Sequence, residues 1–370
     1  MAAEEVVFDV VEKILVRLDV KDIIRCKSVC KSWQSFISSP EFVKSHLRHA
    51  YKNDHDRDKI GHRRIGISQL FSNHEISLCA NFMYMVGSCN GLVCISIRDA
   101  EIKVVNPSTR ERRKLRTPDY QPVERLVTIR QVACLGFGYD ASTDDYKVIA
   151  GFRDWVFEER TLFHVLTLKS SIWKVIGEVK YKNLSNRPGV LCGGALHYFM
   201  YAGKKKVIMS LDLSTEEFKE IPQPLQVEYD NAEDFFNQRL GVIVDEEDNE
   251  CLCIYSFSSS LFGKKWVMKN NKWEPYNERR KYDIAHFFSS RRLVDSQNRT
   301  SFIYVHDYGR LVPSDGYSIG ASLFVRSLVS PHPPGQPKEL LEDSDDARSN
   351  TPKRKRKRKK FCKHKRALLS

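Results

Sequence analysis

Asp144 and Asp145, in the run Gly138-Tyr-Asp-Ala-Ser-Thr-Asp-Asp-Tyr146, set two carboxylates side by side. That is the residue type that general acid–base chemistry and divalent cations call for. Both stand in a polar turn before a strand, where adjacent acids are ordinarily solvated, so the pair reads as a turn. The cysteines are no richer. Cys26 and Cys30 lie one helical turn apart and Cys251 and Cys253 alternate along an expected strand, but no C-x-x-C pair exists to spell out a zinc or redox site. Most of the ten cysteines read as small buried hydrophobes. His197, inside Ala195-Leu-His-Tyr-Phe199, reads as a core or rim histidine. There is no GxxxxGK[ST], no G-x-S-x-G and no H-E-x-x-H. No catalytic set, metal site or cofactor is therefore expected, and the chain reads as a binding protein. An oxidase or lyase would need a clustered metal set that the sequence does not display.

The strongest charge feature is a tail. Of the formal net charge of +13, eleven positive charges lie between Lys353 and Arg366, which leaves +2 for the rest of the 370 residues. From residue 330 the chain turns from proline-rich to acidic to basic, a composition that cannot form a packed core. Residues 330–370 are expected to be a disordered tail with a basic block at 353–366. The octamer Lys353, Arg354, Lys355, Arg356, Lys357, Arg358, Lys359 and Lys360 reads as a nuclear import signal engaging import receptors, with a nucleus-and-cytoplasm distribution. The alternative is a phosphate-binding arm of a nuclear nucleic-acid-associated scaffold. Hydrophobic content of 41% is ordinary, and no apolar run reaches the roughly 18 residues of a membrane span. The opening MAAEEVV lacks the order of a secretory signal, which places the cysteines in a reducing compartment.

Two kinds of element remain to organise these residues. Between Val6 and His46, apolar side chains recur at helical spacing: Val10, Val11, Ile14, Leu15 and Leu18 form one stripe. A short turn carries Ile23, Ile24 and Cys26, and a further helix carries Val29, Cys30, Trp33, Phe36 and Ile37. Ser39-Pro40-Glu41 then offers a hydroxyl cap, a first-position proline and a first-turn acid. A unit of roughly 40 residues is too small to be stable alone, so the rest of the chain or another protein must cover part of this surface. His49 to residue 64 is charged and reads as a linker.

From 65 to 329 the texture is short β-rich runs with Gly, Asn and Asp turns. Hairpin-like openings at Asn90-Gly91, Gly138, Gly193-Gly194, Gly241 and Arg292 are spaced by about 50 residues, near a kelch-type period. Each is followed by a second strand pair, the fifth being Ser322 to Leu328, and Trp173, Phe218 and Trp273 mark the last strands. A sixth unit would use Ile65 to Leu78 with help from the chain's end. The expected domain is an irregular β-propeller, with a twisted β-sandwich as alternative.

The helical stretch resembles the F-box. The positions that carry the resemblance are Asp9, Val11, Ile14, Leu15, Arg17, Leu18, Val20, Lys21, Arg25, Val29, Lys31, Ser32, Trp33, Ile37, Pro40, Phe42, Val43, His46 and Leu47. It departs from the family pattern at Val6-Val7, where Leu-Pro is usual, at Lys13, where an acid is usual, and at Asp19, where a second proline is usual. The runs NGLVCI, VVNPSTRERRKL, GFGYDASTDDYKV, SSIWKVI, GGALHYF and SLDLSTEEFKEIP resemble, in order, the plant F-box-associated domain, and the whole is similar to the F-box proteins of immune-receptor turnover. The resemblance implies an α+β multidomain chain: a helical F-box over 1–48, a linker over 49–64, a kelch-like β domain over 65–329 and a tail over 330–370. It implies a non-catalytic substrate receptor of a Skp–cullin–F-box ubiquitin ligase. A Skp-family adaptor, and through it cullin, would meet Val10, Ile14, Leu15, Leu18, Ile23, Ile24, Val29, Trp33 and Ile37, some of these packing the unit's own core instead. An unidentified target would meet loops of the β domain, with Phe152 to Arg160 and Tyr229 to Phe236 as candidates.

The import reading has a direct test. A fluorescent reporter fused to Pro352–Ser370 should accumulate in the nucleus, and uniform cytoplasmic fluorescence would count against it.

Overall fold

The computed structural model describes residues 10–56, 63–66, 83–97, 101–118, 131–153, 160–182, 188–202, 205–224, 238–244, 249–256, 265–275, 292–294, 300–302, 304–306, 310–312 and 319–340. A helical unit comes first: α1 over residues 10–15, α2 at Val20–Cys26, α3 at Lys31–Ile37 and α4 at Pro40–Asp56. Then come antiparallel sheets. Blade one comprises Met83–Cys89, Leu92–Ile97, Glu101–Val105 and Glu111–Arg116, and blade two Gln131–Asp140, Asp145–Arg153, Thr161–Thr167 and Trp173–Val179. Blade three comprises Val190–Cys192, Ala195–Ala202, Lys205–Asp212 and Phe218–Ile221, and blade four Gln238–Val244, Glu250–Ser256, Lys265–Lys269 and Lys272–Pro275. Each is a meander paired in sequence order. Arg292–Val294 and Thr300–Phe302 form a two-stranded ribbon.

The last sheet joins the two ends of the β domain. Arg63–Gly66 pairs antiparallel with Ile319–Phe324, which continues into Arg310–Val312 and Tyr304–His306. Separate four-stranded meanders with this end-to-end strand exchange are propeller blades, not the two facing sheets of a sandwich. The fifth unit is the exception to the reading from spacing. Its expected second pair, Ser322 to Leu328, is divided: Ile319–Phe324 belongs to the last sheet, and Val325 onward leaves the sheet altogether.

One turn recurs because one short sequence recurs. Asn106, Asp140 and Asp212 each precede x-Ser-Thr, and each side-chain oxygen accepts from the backbone two residues on: Ser108 at 2.7 Å, Ser142 at 2.9 Å and Ser214 at 2.8 Å. Four residues after each, the chain takes positive φ, at Arg110, Asp144 and Glu216. The polar side chain replaces a backbone turn bond, and a single left-handed residue then returns the chain to the next strand.

Blades are joined by a second repeated device. The indole of Trp173 donates to the Arg116 carbonyl at 2.7 Å, and that of Trp273 donates to the Pro222 carbonyl at 2.7 Å. In both cases the last strand of one blade hooks the end of the previous blade's last strand. Phe218 fills the equivalent place on blade three with a ring contact to Phe163, centroids 4.9 Å apart. Between blades two and three the fastening is ionic. Lys147, its side chain almost fully buried, lies 3.0 Å from Asp140 and 2.9 Å from Glu216, and donates to the Leu213 carbonyl.

Two expected boundaries are corrected. The linker expected over 49–64 begins as helix, since α4 runs on to Asp56. It continues because that face has partners: Val43 and Leu47 pack on the blade-one and blade-two core, and Tyr51 donates to Asn90 Oδ1 at 3.1 Å. The tail expected from 330 starts later. Pro331 and His332 bond to Arg113 and Arg112, and Glu339–Leu340 adds a short strand to the edge of blade one. Proline lacks a backbone N–H, but its carbonyl still accepts. The rest of the expected tail, including Lys353 to Lys360, lies outside the described residues.

Burial alone would raise the Asp140 carboxyl, but hydrogen bonds from Ser142, Lys147 and Thr143 outweigh it and hold the group well below the usual carboxylate range. Burial would lower Lys147, yet its bonds to Glu216 and Asp140 raise it. A depressed Asp140 contributes stability that is fully present above its unfolded value of about 3.9 and is lost as pH falls through the folded value. A raised Lys147 contributes below about 10.4 and is lost as pH rises through its folded value. Lys147→Met should therefore cost about 3–5 kcal/mol at neutral pH, because Asp140 is left buried and unpaired. Lys147→Met/Asp140→Asn should recover part of that and lose less stability on acidification. Chemical denaturation across pH checks both; a single variant as stable as wild type would sink the assignment.

Candidate functional site

The helical unit divides its apolar surface in two. Leu15, Val20, Ile23, Ile37 and Phe42 are buried together, with Val11, Leu18, Cys26, Trp33 and Phe36 half-buried around them. The caps fix the helices that do this. Asp19 caps α2 by accepting from Lys21 N at 3.1 Å, Cys30 Sγ accepts from Trp33 N at 3.4 Å, and Ser39 Oγ accepts from Phe42 N at 3.2 Å. His46 on α4 bonds through Nε2 to the Leu18 carbonyl at 3.0 Å. Burial lowers its pKa while that bond raises it, and the net direction is down.

Opposed to this core, four large apolar side chains stand in solvent: Val10 is 51% exposed, Ile14 57%, Ile24 37% and Val29 65%. Among the described residues, only Ile172, Val175 and Leu340 are comparably exposed large hydrophobics. A 47-residue unit thus holds most of the uncovered large apolar side chains of the described chain. The nine adaptor residues expected from the sequence separate accordingly. Val10, Ile14, Ile24 and Val29 are free to meet a partner; Leu18 and Trp33 are half-buried; Leu15, Ile23 and Ile37 are no more than 2% exposed. These last three are corrected to core positions, because helical spacing alternates the two faces every third or fourth residue.

The β domain covers the other side through one segment. Leu328 enters the helical core, and Val329, one residue on, enters the core shared by blades one and two. Around them Arg326 pairs with Asp19. Ser327 Oγ donates to the Asn90 carbonyl at 2.8 Å. Asn106, fully buried, donates to the carbonyls of Ser327 at 3.0 Å and Val329 at 2.7 Å, while its own oxygen holds the Ser108 and Thr109 amides. Arg113 donates to the carbonyls of Leu168 at 2.6 Å and Pro331 at 3.0 Å. Gly91 makes room: φ is +82°, and a Cβ there would lie 2.5 Å from the Val325 carbonyl oxygen. Lys44 on α4 adds an ion pair with Asp144, at 2.8 Å.

Sequence reasoning placed Asn106 in a turn and Asp19 as a departure from the family pattern, and missed the segment that joins them. The only signal was the polar Ser327 between apolar Val325 and Leu328. Both acids of the pair hold local structure: Asp145 accepts from Tyr146 N at 2.8 Å and Lys169 N at 3.1 Å, and Asp144 pairs with Lys44 and accepts from Tyr139. His197 is buried and bonds the Cys192 carbonyl at 3.3 Å. Burial pushes the Cys134 thiol up to about 12, as befits a small core residue. Of the candidate target loops, 154–159 and 229–236 lie outside the described residues.

Comparison with known proteins matches the model of the F-box domain over residues 7–45 and that of the F-box associated beta propeller domain over residues 41–287. An F-box/kelch-repeat protein of Arabidopsis thaliana is 27% identical over 292 residues, 70% of this chain and 74% of that one. The F-box protein CPR1 of Arabidopsis thaliana is 26% identical over 339 residues, 82% of this chain and 80% of its own. Among solved structures, AofleA from Arthrobotrys oligospora superposes with a TM-score of 0.30 at 10% identity, over 58% of this chain and 59% of that one.

The joint makes its own prediction. Asn106→Ala leaves two buried carbonyls without donors and should cost about 2–4 kcal/mol. Thermal unfolding measures it, and an unchanged midpoint would refute the clamp.

Proposed function

Because the chain belongs to the plant family of F-box proteins with an F-box-associated β-propeller domain, we propose that it is the substrate receptor of a Skp–cullin–F-box ubiquitin ligase. The observation that carries this reading is the uncovered set Val10, Ile14, Ile24 and Val29, on a helical unit whose other described large apolar side chains are buried or half-buried. Each such side chain is worth about 1.5–3 kcal/mol if a partner buries it. A Skp-family adaptor, with cullin behind it, is the partner this face fits, with Leu18 and Trp33 at its margin. The β domain holds a target protein, and the chain does no chemistry of its own: it raises the effective concentration of target lysines at a ubiquitin-loaded enzyme. Import through Lys353 to Lys360 would place this activity in nucleus and cytoplasm.

Asp19 bears on the family departures. In place of proline it caps α2 and pairs with Arg326, so this change supports the fold of the unit. Lys13 is exposed beside Ile14.

Ile14→Asp/Val29→Asp tests the surface without touching the core. Purified wild type should capture a Skp adaptor and cullin from plant extract, and the double variant should lose at least ~100-fold in affinity if two such contacts are removed. Its circular dichroism and melting temperature should match wild type. Equal capture by both proteins would overturn the assignment of this face.

A further inference from the structure

We propose that Val325–Pro331 is a positioning strap, which holds the helical unit in one orientation on the propeller and so sets where ubiquitin can be delivered. This rests on the receptor reading above. The strap follows the last described sheet, yet it reaches the first helices and the first two blades at once.

Its contacts come from both bodies. On the helical side are Leu328 in the core and Arg326 with Asp19. On the propeller side are the Asn90 and Asn106 bonds to Ser327 and the Arg113 bond to Pro331. Direct contacts also bypass the strap: Lys44 with Asp144, Tyr51 with Asn90, and Val43 and Leu47 against the blade-one and blade-two core. All of these are remote in kind from the uncovered face: none uses Val10, Ile14, Ile24 or Val29. An exposed ion pair is weak by itself. Here two of them act together with an inserted leucine, so the unit is held at more than one point. A receptor that catalyses by placement needs such a constraint, because a free joint would spread the target over many distances from the thioester.

The test uses the full chain. Fluorophores at Gln34 in α3 and Lys272 on blade four report the distance between helical unit and propeller by single-molecule energy transfer. Wild type should give one narrow distribution. Arg326→Glu/Lys44→Glu should broaden it, while adaptor affinity stays within about twofold because the sites are independent. Adding Asp144→Lys, which restores an ion pair of reversed sign, should narrow it again. In a reconstituted ligase, ubiquitin on the chain's own lysines should fall on a restricted set for wild type, spread in the loosened variant and contract in the restored one. A broad wild-type distribution, or ubiquitin sites that stay the same when the distances broaden, overturns the proposal. Failure of wild type to capture any adaptor removes the receptor reading and the proposal with it. That failure is told apart by the fluorescence distances, which need no adaptor.

Discussion

The joint between helical unit and propeller depends on the carboxamide of Asn106. A buried amide must satisfy two donors and two acceptor sites or bear a desolvation cost. Its oxygen is taken by the turn that forms blade one's last hairpin, and its nitrogen by the carbonyls of Ser327 and Val329. Those carbonyls belong to a segment with no sheet partners, so without Asn106 they would be the orphans. The side chain therefore does two incompatible-looking things at once, closing a local turn and holding chain from more than 200 residues away. Aspartate, which occupies the equivalent turn position at Asp140 and Asp212, has no N–H to offer. The Asn106 turn differs from those at Asp140 and Asp212 in offering this N–H, and the helical unit docks beside blade one.

The other blades spend the same turn differently. Asp140 presents its second oxygen to Thr143 and to Lys147, whose reach to Glu216 fastens blade two to blade three. A buried ion pair is weak support for stability in itself. Its value here is geometric, since the ammonium is satisfied only when the two blades hold their mutual register. At the other two joints the indoles of Trp173 and Trp273 add a neutral N–H and a large apolar area, beside the buried Arg113, which donates to the Leu168 carbonyl, and the buried Lys206, which donates to Gln238.

Much of this was legible because the devices are local. The Asx-x-Ser-Thr turns, the Asn90-Gly91 hairpin and the aromatic in the last strands of blades two, three and four are short patterns, and short patterns report short-range structure. The four-stranded units followed from them. What stayed hidden depends on pairs distant in sequence. A sixth unit near Ile65 completed from the chain's end was expected, but the pairing of Arg63–Gly66 with Ile319–Phe324 itself has no signal in either segment alone. Ser322 to Leu328 reads as one more strand, since a short apolar-rich run fits an edge as well as it fits a strap. Pro-rich residues 331–337 read as tail by composition, and composition is blind to the guanidinium of Arg113 that waits for a carbonyl there. At the helices, periodicity marked the apolar residues but could not say which would be covered by the chain itself.

That last division follows from size. A helical unit this small has more apolar stripe than interior, so some must find cover outside. The strap covers one part with a single leucine, and does so from the far end of the β domain. Helical unit and propeller are thereby made to fold as neighbours, and among the unit's described residues Val10, Ile14, Ile24 and Val29 stay exposed for something else. Had the unit been stable alone, a flexible linker would have sufficed and orientation would have been free. Because it is not, the same burial that completes its core also fixes its direction. The Asp19–Arg326 pair then lies at the rim of that contact, where a proline at position 19 would have left Arg326 without its acid.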